Sequence, residues 1–209
     1  MREYMMHHVH SCRFVVSYNS KYQMSEITAK VRLPRERISK CDIFKDIEVI
    51  ENITLNGTEM ELKTITFPYV ICLNQDCDLL SDVRDKKNQP ATNKNCRLLH
   101  LIVAPVFNFA SFVEGTHWGD LFDPSNQIKV ARTEGRKIMS NEDPRYHFLH
   151  FDDKSELPDM VIDFKHFFTV STEMMYENLS HRVCAIEEVY REKICQRFAF
   201  FQSRIGLPD

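Results

Sequence analysis

The sequence has no pair of cysteines at C-x2-C spacing. Its seven cysteines, at positions 12, 41, 72, 77, 96, 184 and 195, are odd in number and scattered. That argues against a disulfide framework and a structural zinc site, and for a reducing compartment. No stretch approaches the ~20 apolar residues needed to cross a bilayer, so no membrane association is expected. The opening, MREYMMHHVHSCRFVVSY, lacks a clean apolar core and a small-residue cleavage site. A cytoplasmic location is therefore expected. An excess of one charge is also missing. Lys and Arg number 27 against 30 Asp and Glu, so any grip on phosphate must come from a local patch rather than a global field.

What is present suits a folded chain. Hydrophobic residues make up 43% of the 209, enough for a core without staples, and 15 Phe with 7 Tyr make that core aromatic-rich. Residues 1–23 differ in composition from the rest and read as a flexible N-terminal extension; its His7, His8 and His10 form a terminal cluster rather than a built metal site. MSEITAKVRLP, from Met24, reads like a natural start. The expected organisation is a β-barrel domain over 24–175, interrupted by an insertion at about 107–153, and a helical appendage over 176–209.

Alternation of Ile43, Ile47 and Val49 with Lys45, Asp46 and Glu48 predicts a half-buried strand. Asn56-Gly57 supplies a hairpin turn into a second strand, and Pro68 should then allow only an edge or a strand start. YVICL (69–73) reads as a strand covered on both faces. The polar stretch Ser81–Asn95 reads as a loop, Cys96–Phe107 as a strand ended by Pro105, and NQIKVARTEGRKIM as a helix weakened by Gly135. Extended segments follow at DPRYHFLHFDD and LPDMVIDFKHFFTV. Val183, Ile186, Tyr190, Ile194, Phe198, Phe201 and Ile205 predict one long helix with Ser180 as N-cap and Gly206-Pro208 as stop.

That order of strands resembles the PemK/MazF-type toxins, small SH3-like β-barrels that cut RNA. In CDIF, Cys41 takes the place of the toxins' glycine before Asp42 and Ile43. YVICLNQDCDL matches their apolar strand with a polar end, IVAPV their strand ending in proline, and LPDMVIDFKHFFTVSTEMM their late strand running into a helix. The match covers about 40–111 and 157–175. It implies an α+β fold: a small SH3-like barrel with a helical insertion and a long C-terminal helix. Phe67-Pro68 replaces the toxins' Arg-Pro, and Val106 replaces their Ser or Thr, so their RNA-cleaving site is not carried over.

Two constellations could carry chemistry. In NQDCD, a strand-like alternation would put Asp76 and Asp78 on one side and Cys77 on the other. Paired carboxylates suit acid/base work, or they cap a turn. Cys77 reads as a packed small hydrophobe, since flanking carboxylates oppose a thiolate. Further on, Lys129, Arg132, Arg136 and Lys137 share a helical face, and Arg145, Tyr146 and His147 follow. These could neutralise phosphates, stack a base and move a proton, or they form a solvated face balanced by Glu134, Glu142 and Asp143. Trp118, beside His117 and Asp120, is an interface anchor or a plug over the core.

The resulting expectation is a metal-free, cofactor-free protein that binds single-stranded RNA, with cleavage as the associated activity, in a toxin or phage-defence module. Asp76, Asp78, Arg145 and His147 would be catalytic; Lys129, Arg132, Arg136, Lys137 and Tyr146 would bind nucleic acid. The alternative is a non-catalytic protein that docks a protein partner through its C-terminal helix or the Trp118 loop.

Overall fold

The computed structural model describes residues 27–56, 59–87, 94–119, 128–151 and 155–204. The expected extension at 1–23, the tip of the Asn56-Gly57 turn and the Gly206-Pro208 stop lie outside them. The fold is α+β. Its strands are β1 (Val31–Arg32), β2 (Asp42–Asn56), β3 (Glu59–Cys72), β4 (His100–Asn108), β5 (Tyr146–Leu149), β6 (Met160–Asp163), β7 (Phe168–Ser171) and β8 (Arg182–Ile186). They form one antiparallel sheet in the order β1-β8-β2-β3-β4-β6-β5, with β7 also paired to β4. The helices are α1 (Asp76–Lys87), α2 (Phe109–Glu114), α3 (Arg132–Met139), α4 (Thr172–Glu177) and α5 (Glu188–Gln202).

Both faces of the sheet's centre are buried. Ile43, Ile71, Ala104, Val106 and Ile162 form one cluster, capped by Ile194 of α5. Phe44, Val70, Cys72, Leu101, Val103 and Val170 form the other, closed by Leu79 of α1 and Met175 of α4. Neighbours in sequence fall in opposite clusters, as a two-residue period requires. Each fully buried Ile or Phe contributes about 1.5–3 kcal/mol.

The prolines sit where the ladder can spare an N–H. Pro68 lies inside β3, not at a strand start. The pairing of β2 with β3 skips Asp46 and Pro68, and Asp46 adopts a left-handed φ of 53°. The strand changes face there: Phe44 and Ile47, three residues apart, enter the same cluster, as do Val70 and Phe67. Pro105 does not end β4. His100–Val103 pair with β7 and Val106–Asn108 with β6, so Pro105 stands at the handover. Ile102 points its backbone groups the other way, toward Leu73 and Asn74, which leaves Pro105 facing that gap.

Beyond the core, β2 and β3 continue as a two-stranded ribbon. Ile53 pairs Leu62 and Leu55 pairs Met60; Ile50 joins them through a register shift at Glu51. All five side chains therefore share one face, and all five are exposed.

Three readings of the sequence are corrected here. The polar stretch 81–95 is not a loop throughout, because α1 runs to Lys87 and a short 3-10 turn follows at Lys94–Cys96. Its acidic start and basic end suit the helix dipole, and buried Asp82 and Asp85 are paired to Lys86 and Arg97. The LPDMVIDFKHFFTV strand is broken into β6 and β7 by a 3-10 turn at Phe164–His166. The C-terminal helix does not begin near Ser180. Val183 and Ile186 belong to β8, Glu187 is the helix N-cap, and only Tyr190, Ile194, Phe198 and Phe201 of the apolar stripe ride on α5 against the core. A five-residue strand can mimic helical spacing at its two apolar ends, and β8 is bought by pairing with both β1 and β2.

Candidate functional site

The NQDCD stretch is the first turn of α1, so the expected strand-like alternation of Asp76, Cys77 and Asp78 does not occur. Asn74 ends the strand by accepting from the Ile102 amide at 2.7 Å. Asp76 is enclosed by cations. Arg37 donates to both its oxygens, at 3.1 and 2.8 Å, Arg35 at 3.2 Å, and the Lys40 amide at 3.2 Å, while Arg191 lies 3.9 Å away. Partial burial pushes this carboxyl up, but the Arg37 hydrogen bonds, the Lys40 amide and the charges of Arg37 and Arg191 outweigh it and hold it at about 2. Asp42, fully buried next in the network, takes Arg182 at 2.9 Å and Arg32 at 3.4 Å. Asp78 and Cys77 are exposed, and Cys77 donates to Asp78 at 3.6 Å rather than packing as a hydrophobe.

Arg145 is held elsewhere, by a two-pronged pair to Asp163: Nε to Oδ1 at 2.9 Å and Nη2 to Oδ2 at 2.6 Å. Its guanidinium also covers the Tyr146 ring, 4.7 Å from the centroid. Tyr146 packs edge-on against Phe112, and burial, then Asp163, push its hydroxyl up to about 12. His147 points to the opposite face of β5. It is 3% exposed, and neither ring nitrogen has a hydrogen-bond partner. Burial, with Arg197 and Lys193 of α5 nearby, lowers it to about 3. The four residues expected to be catalytic thus fall into separate surroundings: Asp76 in the arginine cluster, Asp78 on the surface, Arg145 locked to Asp163, His147 under α5. Of the expected basic patch, Arg132, Arg136 and Lys137 are exposed on α3, and Lys129, just before it, pairs with Glu114 at 2.5 Å.

A cavity of about 930 Å³ is bounded by the ribbon's more polar face, by β4 and by the turn after α2. Phe67, Tyr69, Phe107, Trp118 and Phe168 supply apolar wall; Asn108, Ser111, Thr116, Lys63, His117 and His166 supply polar groups. Local sequence builds that turn. Asn108 caps α2 by accepting from the Ala110 and Ser111 amides. Gly115 then stops it in the left-handed region at φ 79°, and a Cβ there would lie 2.7 Å from the Ile128 carbonyl oxygen. The chain is thereby turned to deliver Thr116, His117 and Trp118 to the cavity.

His117 and His166 both contact the Trp118 ring, with centroids at 5.6 and 4.8 Å. His117 is also wedged against Phe107 and Phe112, and its Nδ1 is buried with no partner in the protein. Burial lowers His117 to about 4 against the pull of Asp163, and burial likewise lowers His166. Behind them Asp163, 1% exposed, accepts from Arg145 and from the Lys165 amide, with His166 Nε2 at 3.9 Å. Both imidazoles are therefore held neutral near pH 7.

Sequence reasoning marked Trp118, beside His117, as an interface anchor or a plug over the core, gave His117 no role of its own, and missed His166. The available signal was the pairing of THW with a second histidine in DFKHFF, which only the β4–β6 register brings together. Asp120, the other polar residue flagged there, lies outside the described residues. No group of three or more metal-ligating side chains occurs among the described residues, and no helix among them is long and apolar enough to cross a membrane. No protein-family model matches the chain, and no curated protein matches it either.

Proposed function

We propose that this protein binds single-stranded RNA in the Trp118 cavity and cleaves it without a metal, with His117 and His166 in place of the carboxylates and His147 that the sequence suggested. The observation that carries the reading is the pair of neutral imidazoles on an aromatic-walled cavity, one with a buried, unpartnered ring nitrogen. Unpaired bases stack on aromatic faces at about 1–3 kcal/mol each, without sequence preference. A neutral imidazole can take the 2′-hydroxyl proton, and a second, once protonated, can serve the leaving oxygen. Cleavage should accelerate as pH falls below 7, because the acid must be charged, and collapse near 4, where His117 itself titrates. A PemK/MazF-like barrel in a toxin or phage-defence module remains the broader frame of this proposal. Cys41 supports it modestly: its φ of 61° is a conformation that a glycine in that position adopts at no cost.

The test is binding and cleavage of a labelled mixed-sequence single-stranded RNA at low and moderate salt. Lys63, paired to Glu51, is the one Lys or Arg among the cavity's described lining. The salt slope should therefore be shallow, about −0.7 per phosphate neutralised. Cleavage lost in a folded His117→Ala, His166→Ala double variant supports the reading; no binding at low salt ends it. The second reading, a non-catalytic interaction protein, is favoured by the ribbon's exposed Ile50, Ile53, Leu55, Met60 and Leu62 rather than by the Tyr190–Phe201 stripe of α5, which packs on the core, or by Trp118, which lines the cavity. Its occupant would be a second copy of the chain. Sedimentation of the wild type against Leu55→Lys, Leu62→Lys tests it.

A further inference from the structure

Six cysteines lie among the described residues, and their surroundings differ sharply. Cys72 and Cys184 are buried, and burial pushes both thiols up to about 12, which makes them inert. Cys77 is exposed and Cys96 half-buried. Cys41 and Cys195 are the exception, because they face each other. Their sulfurs are 3.8 Å apart, one from the residue just before β2 and the other from the middle of α5. Cys41 is fully buried, whereas Cys195 is only half-buried.

A cation stands beside them. Lys40 is 5% exposed along its side chain, and its ammonium bonds to Glu192 at 3.0 Å and Gln75 at 3.3 Å. The Cys41 S–H and then this ammonium lower the Cys195 thiol below its ordinary range, against the effect of burial, while burial raises Cys41. That division suits one attacking and one resolving sulfur. A disulfide needs an S–S distance of about 2.05 Å, so the sulfurs must close by roughly 1.8 Å.

We propose that Cys195 and Cys41 form a peroxide-reactive dithiol that closes to an intramolecular disulfide. The Cys195 thiolate attacks one oxygen of hydrogen peroxide. The S–O bond forms, the O–O bond breaks, and the departing hydroxide takes a proton to leave as water. Cys195 is then a sulfenic acid, two electrons more oxidised. Cys41 loses its proton and attacks the Cys195 sulfur; the S–S bond forms, the S–O bond breaks, and a second water leaves. Two thiols and one peroxide have become one disulfide and two waters. The link staples α5 to the start of β2, beside the Lys40 and Arg191 groups of the Asp76 cluster. It does not depend on any activity at the Trp118 cavity.

The experiment treats the purified full chain with hydrogen peroxide, blocks the remaining thiols, and maps peptides with and without reductant. A linked peptide joining Cys41 and Cys195 is expected, reversed by dithiothreitol, retained in Cys77→Ser, and formed before Cys77 is oxidised. In Cys41→Ser, the sulfenic acid at Cys195 should persist and react with a sulfenic-acid trap. Both thiols still free in the wild type when Cys77 has been oxidised would overturn the proposal, as would links made only through other cysteines. The wild-type map decides the matter even where a variant fails to fold.

Discussion

The Asp76 cluster, built from charged side chains, and the wall of the Trp118 cavity, built from rings and polar groups, are in opposite states. Around Asp76 every carboxylate oxygen is spoken for, by Arg37, Arg35 and the Lys40 amide. On the cavity wall, His117 keeps a buried nitrogen without a protein partner beside apolar rings. A satisfied buried network specifies a fold, whereas an unsatisfied polar atom beside a cavity marks hydrogen-bond capacity the fold itself does not use. The density of charge in sequence therefore marks the wrong place. What separates framework from site is whether hydrogen-bond capacity is used up.

The largest effect should come from breaking the framework. Asp76→Ala leaves Arg37 and Arg191, with side chains 11% and 9% exposed, short of their shared anion. A loss of about 3 kcal/mol in chemical denaturation is expected, the scale of removing one partner from a buried ion pair. The sign with pH follows from the depressed carboxyl. With a folded value of about 2 against an unfolded 3.8, its stabilisation is complete above 3.8 and lost as pH falls toward 2. Asp76→Asn should flatten that part of the acid limb. Unchanged stability in Asp76→Ala, with RNA binding abolished, would break the comparison and restore Asp76 as a site residue.

This contrast also explains how much was legible in the sequence. The antiparallel strands over 42–72 could be read because alternation and Asn56-Gly57 are local signals. The helix at Asp76–Lys87 could not, because its apolar face is little more than Leu79 and its burial rests on Asp82 and Asp85 with partners outside the helix, Leu98 and Arg97. Lys, Asp and Asn at high density mimic a loop until those tertiary partners are known. Arg145 and His147 are two residues apart in sequence, so they were grouped as one site. Arg145 lies in the turn before β5 and reaches Asp163, whereas His147, inside the strand, is buried with Arg197 and Lys193 of α5 nearby. His117 and His166, nearly fifty residues apart, meet only through Trp118.

A smaller effect of opposite sign should mark the cavity. His117→Leu removes an unpartnered buried nitrogen while keeping bulk against Phe107 and Phe112. Stability near pH 7 should rise by about 1 kcal/mol, the lower end of the cost of an unsatisfied polar group. Because His117 is held at about 4 against an ordinary 6.5, the unfolded chain binds more protons between those values. The wild type therefore loses stability as pH falls from 6.5 toward 4, and the variant should lose less. RNA affinity or cleavage should fall in the same variant. A gain in stability with full RNA activity would make His117 a packing residue and take the site reading down with it.

The smallest effect is expected two residues from the largest. Asp78 shares the first turn of α1 with Asp76, carries the same charge and favours the same helix dipole, yet it is exposed and accepts only from Cys77 at 3.6 Å. An exposed carboxylate in a first turn is worth about 0.3–1 kcal/mol at low salt, and less as salt screens it. Asp78→Asn should therefore cost no more than about 0.5 kcal/mol in denaturant melts at moderate salt, and leave RNA binding alone. Because helix position, charge and sequence neighbourhood are matched, the difference between the Asp76 and Asp78 variants isolates the arginine cluster itself. Equal costs at the two positions would mean that the dipole, not Arg37, Arg35 and Arg191, holds this corner of the fold.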